Sequence, residues 1–531
     1  MATDYARLLK QDFADLTAAT DSWQRVSRDM DSAFDQHRTK VTGPLHASWE
    51  GDDAKAALAF LEDIEMRINV VRTEAMTISK AIETVRFRME QAQTDLRNAV
   101  RSAESEGFVV DDSGAVGEAI CEADESPDEA QSKLDRMKHF QEEIDTAVKD
   151  ARKASADGHH ALSELRGELL DRTNKHMAAE AAADTQQAMK DLGVKGPQIP
   201  KDPKDAAAWW KGLDEASRQE YATMYPEQIG KTNGLPSAVR DDANRLALDQ
   251  QLNYVNGSDQ GVPGIPEHRH NLEVLKAELD KRDGAPENKK LYLLDFNGAE
   301  DGKAVIAMGN PDTADNVGVQ VPGTATDMSS TGGQLSRIDK LQRAAGDADP
   351  GAKTSMVYWL GYDAPEIPSD EAPNLAVAGT TRADDAAPDL RAFTHGLRAS
   401  YEGPDRAHMT VLGHSYGATV VGDADSGGNG LDADSISVVG SPGETVGSAS
   451  DLHVGAKNFY TGIADDDPIS QAQDLTLGPD PNTTEFGGTR FITDTHGHSG
   501  YWDDKSESLA NQGRIITGHA PKKAPPTPVD L

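Results

Sequence analysis

Cysteine is almost missing from this chain. Cys121 is the only one, so no intrachain disulfide and no multi-thiolate metal site can form. Long apolar runs are missing as well: nowhere do eighteen apolar residues follow one another, so no membrane span is expected. Basic charge is scarce. Against 90 Asp and Glu stand 53 Lys and Arg, a net charge of −37, and a field of that sign repels nucleic acid and anionic membrane. The sequence also lacks H-E-x-x-H and any cluster of metal-ligand residues, so neither metal nor cofactor is expected.

What is present divides into two textures. At 531 residues the chain is too long for one small core. Met1 to Leu16 mixes Asp4, Arg7, Lys10, Asp12 and Asp15 with apolar residues. That is the start of an amphipathic helix and not a cleavable signal peptide. The expected location is therefore cytoplasmic, or outside by a route that needs no such peptide. Leu9, Phe13, Leu16, Trp23, Met30 and Phe34 fall near helical spacing up to Val41-Thr42-Gly43-Pro44. From Leu61 through Ile64, Ile68, Val71, Ala75, Ile78, Ile82, Val85, Met89, Ala92 and Leu96 to Ala99 the apolar positions step by three and four. A period of about 3.5 sustained this long predicts a long helix with a coiled-coil seam. Phe108–Val116 reads as a turn or hairpin, and Leu134 to Leu169 as a third long helix.

Between the first two helices stands Trp49-Glu50-Gly51. A W-x-G at the turn of a helical hairpin resembles the WXG-type helical proteins associated with type VII secretion. The resemblance implies that Trp49 packs across the hairpin end, that Gly51 allows close approach there, and that residues 1–190 can bind a helical protein partner. The export signal of that family, Tyr-x-x-x-Asp/Glu after the second helix, is absent: no tyrosine occurs between Tyr5 and Tyr221.

Gly193–Lys204, with three X-Pro steps, is a linker, and helical material with Trp209-Trp210 follows. From Lys290 short apolar strands alternate with amphipathic helices, which argues for a mostly parallel sheet covered on both faces. The expected domains are a helical WXG-like domain over 1–188, a linker and helical lead-in over 189–289, an α/β catalytic domain over 290–515, and a disordered tail over 516–531.

The chemistry centres on Gly413-His414-Ser415-Tyr416-Gly417. An apolar strand rises into G-x-S-x-G and small residues follow, the pattern of a nucleophile elbow on an α/β-hydrolase sheet. A serine hydroxyl needs a base to take its proton and an acid to orient that base. Asp467, after the strand ending at Ile463, and His498, after Phe491–Asp494, follow Ser415 in the required order. Asp466 is the rival acid, and His496 the second choice of base. His414 is read as filling space beside the elbow. The oxyanion donors are expected to be the backbone N–H of Tyr416 and those of Thr324 and Ala325, in the turn after Val321. The expected substrate is a small molecule with an ester, thioester or amide bond. Asp423–Asp434, rich in glycine, and the segment Ile229–Arg245 are expected to roof the pocket.

These motifs are specific as a set. Asn310-Pro311-Asp312-Thr313-Ala314-Asp315, Val321-Pro322-Gly323-Thr324, Trp359-Leu360-Gly361-Tyr362-Asp363, the elbow, Val439-Gly440-Ser441-Pro442-Gly443 and His498-Ser499-Gly500-Tyr501 resemble an actinobacterial α/β-hydrolase family. The resemblance covers about residues 225–515 and implies the α/β-hydrolase fold with a Ser–Asp–His triad. It implies no substrate. One departure is Ala325, where relatives are expected to carry glycine.

Overall fold

The computed structural model describes residues 4–118, 126–165, 176–367, 376–471 and 473–525. Cys121 lies outside the described residues. The chain forms two compact units, one of residues 1–34 and 66–197, the other of residues 35–65 and 198–531.

The first unit is helical. It contains α1 (Asp4–Lys10), the first part of α2 (Ala14–His37), and a second helix that starts in the other unit. A short helix α3 (Gly43–Ser48) precedes that second helix, α4 (Asp52–Ser105), whose 54 residues enter the first unit at Met66. The hairpin read at Phe108–Val116 is present as β1 (Phe108–Val110) against β2 (Val116–Glu118), antiparallel. Then come α5 (Pro127–Glu164), opened by a Ser126/Glu129 capping box, and α6 (Met177–Asp191). Tyr5 and Leu8 pack with Ala92, Leu96, Ala99, Ile144 and Ala147. The seam read on α4 is buried at Ala92, Leu96 and Ala99, but half-buried from Leu61 to Ile68. Further along, polar Asn69, Arg72, Thr73 and Thr77 are buried beside Val70 and Met76. Their interior is hydrogen-bonded: Ser27 Oγ donates to Arg72 O at 3.0 Å, Arg72 pairs with Asp31 at 2.9 Å, and Thr77 meets Thr185 at 2.7 Å. Apolar periodicity cannot register such a polar core.

The turn carrying Trp49 belongs to the second unit, and here the expected packing is not found. Trp49 is 42 % exposed, and a Cβ on Gly51 would meet nothing within 4 Å. Gly51 instead supplies a φ of +108°, which other residues rarely adopt. Close approach occurs at Gly43, where a Cβ would come within 2.4 Å of Asp283 O.

The second unit continues through α7 (Pro203–Gly212), α8 (Glu215–Met224), α9 (Pro226–Lys231), α10 (Ser237–Gly257) and α11 (Ile265–Asp280). The sheet then begins: β3 (Leu291–Asn297), β4 (Lys303–Met308), β5 (Asn316–Val321), α12 (Thr331–Ala348), β6 (Thr354–Leu360) and α13 (Thr381–Ser400). It is completed by β7 (His408–His414), α14 (Tyr416–Ser426), β8 (Ser435–Val439), β9 (Phe459–Gly462), β10 (Thr489–Arg490) and α15 (Glu507–Ile516). The order is β10-β9-β8-β7-β5-β6-β4-β3. Among the described strands of this sheet, β3/β4 and β4/β6 pair antiparallel and the other neighbours pair parallel. The strands read as near-continuous apolar runs because both faces are covered: β5 and β8 are buried at every position.

The Ile229–Arg245 segment lends Lys231 to a small cavity beside Asp295, Leu360 and Gly361. It covers the sheet's edge. Asp241 Oδ1 accepts from Leu293 N at 2.8 Å, Asn244 Nδ2 donates to Leu293 O at 2.9 Å, and Arg240 Nη2 donates to Leu294 O at 2.6 Å. These side chains satisfy backbone groups that an edge strand leaves open. Asp423–Asp434 does not roof the elbow. The 11 residues of α14 carry the chain about 16 Å away from the elbow, to the end of the sheet where β8 begins. Asp425 ties that loop down, accepting from Leu431 N and Val454 N. The start of the expected disordered tail is ordered too: Lys523 bridges Phe491, and Lys522 O accepts from Ile492 N at 3.0 Å. Residues 526–531 lie outside the described residues.

Candidate active site

The elbow forms as the glycines require. β7 is fully buried past its first residue, and Ser415 turns it into α14 with φ +56° and ψ −132°. That backbone is strained for a side-chain-bearing residue, and close packing on both sides holds it. A Cβ on Gly413 would lie 2.5 Å from Ala418 Cα, and one on Gly417 would lie 2.4 Å from both Val321 O and Pro322 O. Gly323 presses from the other side, where a Cβ would come within 2.6 Å of Ser415 Cβ. The serine is therefore nearly buried, at 4 % exposure.

Asp467 and His498 meet. His498 Nδ1 lies 2.9 Å from each carboxylate oxygen of Asp467, which is buried. Tyr501 OH donates to the same carboxylate and accepts from Ala464 N, and Ile469 N donates to Asp467 Oδ1 at 2.9 Å. Burial pushes this carboxyl up, but the hydrogen bonds from His498, Tyr501 and Ile469 outweigh it and hold it below the usual range. Asp466 lies apart. It accepts from Gly497 N at 2.7 Å and pairs with His496, which is 91 % exposed. Asp466 and His496 pin the loop that carries His498.

The pair is joined to the elbow through β8. Ser415 N donates to Val439 O at 3.2 Å, and the next residue, Gly440, faces the pair. A Cβ there would approach Asp467 Oδ2 at 3.0 Å and His498 Cε1 at 3.2 Å. Among the described residues, Ser415 Oγ makes no hydrogen bond to His498; such bonds often tighten only when substrate is bound.

His414 does more than fill space. Its Nε2 lies 2.8 Å from His498 O, so this nitrogen carries the proton and donates. Its ring packs 4.9 Å from both His498 and Trp502, and Trp502 carries the Arg337 guanidinium at 3.7 Å. Burial, then the charges of Arg337 and His498, push His414 down to about 3, so it stays neutral. Sequence reasoning missed this brace and the part of Tyr501. The only signal was position, since both residues lie within three of Ser415 or His498.

Of the oxyanion candidates, the Tyr416 N–H opens α14, where no intrahelical acceptor exists. Among the described residues, Thr324 N–H has no partner. Ala325 N–H donates to Pro365 O at 3.0 Å, so it is engaged elsewhere and leaves the set. Ala325 also has φ +53°, the left-handed region that explains why glycine is expected there.

Among the described residues, one group outside the site could hold a metal. His46, Glu62 and Asp280 offer ligand atoms within 4.8 Å of one another. Lys276 Nζ lies 3.2 Å from Asp280 Oδ1, and His46 Nε2 lies 3.3 Å from Glu62 Oε1. The cluster is thus an ion-paired clasp between the Trp49 hairpin and α11, assembled from residues too far apart in sequence to be read together.

The strand order and the elbow define the class: the second unit is an alpha/beta hydrolase. An alpha/beta hydrolase family profile matches residues 297–477, taking in the elbow and Asp467. The chain is similar to the uncharacterized protein Rv2079 of Mycobacterium tuberculosis (strain ATCC 25618 / H37Rv), 28 % identical over 95 % of this chain and 85 % of that protein. It is also similar to the uncharacterized protein Rv0963c of the same strain, and to Mb0988c of Mycobacterium bovis. Each of these is 34 % identical over 36 % of this chain and 72 % of the relative. The chain belongs to this alpha/beta hydrolase family. Its likeness to Rv2079 runs through the helical region as well as the sheet. No described helix is long and apolar enough to cross a membrane.

Proposed function

We propose that the protein is a serine hydrolase that cleaves an ester, thioester or amide through an acyl-enzyme. The observation that carries this is the Asp467–His498 pair, its carboxylate buried, lying against Gly440, next to the residue whose carbonyl takes the Ser415 N–H. Ser415 Oγ attacks the substrate carbonyl carbon while its proton passes to His498 Nε2. Asp467 fixes the ring through Nδ1–H and stabilises the imidazolium. The negative charge forming on the carbonyl oxygen falls between the N–H groups of Tyr416 and Thr324. Collapse of the tetrahedral intermediate breaks the bond to the leaving group, which takes the proton from His498. Water, activated by the same histidine, then releases the acid. No step needs a metal ion.

A fluorophosphonate probe tests this reading. Wild-type protein should be labelled, Ser415→Ala should not, and His498→Ala should label far more slowly. A folded wild-type protein that stays unlabelled overturns it.

A second reading concerns the helical region, and the exposure of Trp49 at the hairpin turn favours it. In this reading the WXG-like hairpin is a docking element for a helical partner, and export depends on that partner. Pull-down by the full chain, compared with Trp49→Ala, tests it. Equal recovery of partner by both proteins, or none by either, counts against it.

A further inference from the structure

We propose that the bond cleaved at Ser415 belongs to an uncharged substrate with a long apolar chain, and that Ile367 and Leu475 form the rim that receives that chain. The proposal rests on the serine-hydrolase reading of the same site.

Leu475 is the most exposed large apolar side chain among the described residues, at 70 %, and Ile367 follows at 64 % together with Phe87. In a chain of net charge −37, polar residues to cover such positions are plentiful. Isolated exposed apolar residues carry no message. These two are different, because hydrogen bonds tie both of their loops to the nucleophile's surroundings.

Ile367 stands two residues after Pro365, whose carbonyl accepts from Ala325 N beside the oxyanion candidate Thr324. Two residues before that proline, Asp363 is neutralised by Arg382, and Tyr362 OH donates to Pro322 O at 2.7 Å. Leu475 precedes Thr476, whose hydroxyl donates to Ala378 O. The next carbonyl, Gly379 O, accepts from the hydroxyl of Tyr416 at 2.6 Å. On the other side of Thr476, buried Leu477 gives its carbonyl to Thr445 N at 2.8 Å. The two exposed side chains thus belong to two loops, one fastened to the oxyanion turn and the other to the Ala378–Gly379 segment, which in turn holds the side chain of the residue after the nucleophile.

The charge balance selects among substrates. The only cation in these described loop segments, Arg382, is already paired, and Glu366 stands beside Ile367. Within these segments an anionic substrate finds no free cation and meets the repelling field of the chain's net charge, whereas a neutral ester with an apolar chain meets no such repulsion. Each methylene placed against such a surface adds to transition-state binding.

The test uses the full chain and two monomeric p-nitrophenyl esters, the butyrate and the decanoate. The wild type should favour the decanoate in kcat/KM. In Leu475→Asp and Ile367→Asp the decanoate-to-butyrate ratio should fall about tenfold, with Leu475→Met close to wild type. An unchanged ratio in both Asp variants overturns the rim while leaving the hydrolase reading intact. So does a wild type that labels at Ser415 yet hydrolyses neither ester. Failure of wild-type labelling overturns the hydrolase reading itself, and this proposal with it.

Discussion

Replacing Asp467 by asparagine separates the two acids that the sequence leaves open. In the wild type, His498 Nδ1 reaches both carboxylate oxygens at 2.9 Å, and Tyr501 OH donates to one of them. An amide has one oxygen to offer these two donors. If its NH2 group faces His498, the imidazole must carry its proton on Nε2, and Ser415 loses its proton acceptor. If the oxygen faces His498, the tautomer survives, but the charge that stabilises the imidazolium is gone. A positioned general base contributes about a hundredfold to ten-thousandfold, so the second-order rate of fluorophosphonate labelling should fall within that range. Asp466→Asn disturbs only the surface pair with His496 and the bond from Gly497 N, and its labelling rate should fall less than about tenfold. Both proteins should be verified as folded by circular dichroism. A greater loss in Asp466→Asn than in Asp467→Asn, or a near-wild-type rate in Asp467→Asn, means that Asp467 is not the acid that orients His498.

Other consequences concern stability. Ala325 sits at φ +53°, where a Cβ costs about 1 kcal/mol, so Ala325→Gly should raise the thermal midpoint of the second unit; a fall contradicts the strain. Gly417→Ala places a carbon 2.4 Å from two backbone oxygens, neither of which can move aside as a side chain does. It should therefore cost about 1–3 kcal/mol and lower the yield of folded protein, whereas Gly51→Ala, which meets nothing, should show only the penalty of its positive φ. Burial, partly opposed by a hydrogen bond from Ser441, raises buried Glu444 from 4.5 to about 8. A folded-state value above the unfolded one means that its stabilising effect is complete below 4.5 and lost as pH rises through about 8. Thermal stability should therefore decline over that window, and Glu444→Gln should flatten the decline; an identical pH profile for both proteins speaks against it.

The second unit was readable because its strands are buried on both faces. Runs such as Ser435–Val439 are apolar enough to stand out, and G-x-S-x-G marks one strand end by the steric demands of Gly413 and Gly417. What stayed hidden depends on direction and on side-chain partners. The length of α14 decides at which end of the sheet Asp423–Asp434 falls, and a glycine-rich composition says nothing about that. Arg240, Asp241 and Asn244 read as an ordinary polar helix face, yet they serve the backbone of β3. The engagement of Ala325 N–H by Pro365 O is a contact between loops that no local pattern encodes. In the helical unit, the period of α4 announced a long helix but mistook its centre. Arg72 and Thr77 are buried there because Asp31 and Thr185 meet them from other helices. Trp49 was assigned to packing by analogy, and the structure leaves it in solvent.

The site of covalent modification tests the role of Ser415 most directly. After reaction of the folded full-length protein with a fluorophosphonate, peptide mass mapping should find a single adduct, on Ser415, that disappears in Ser415→Ala. An adduct on a different residue, or none at all in the folded protein, rules out Ser415 as the nucleophile.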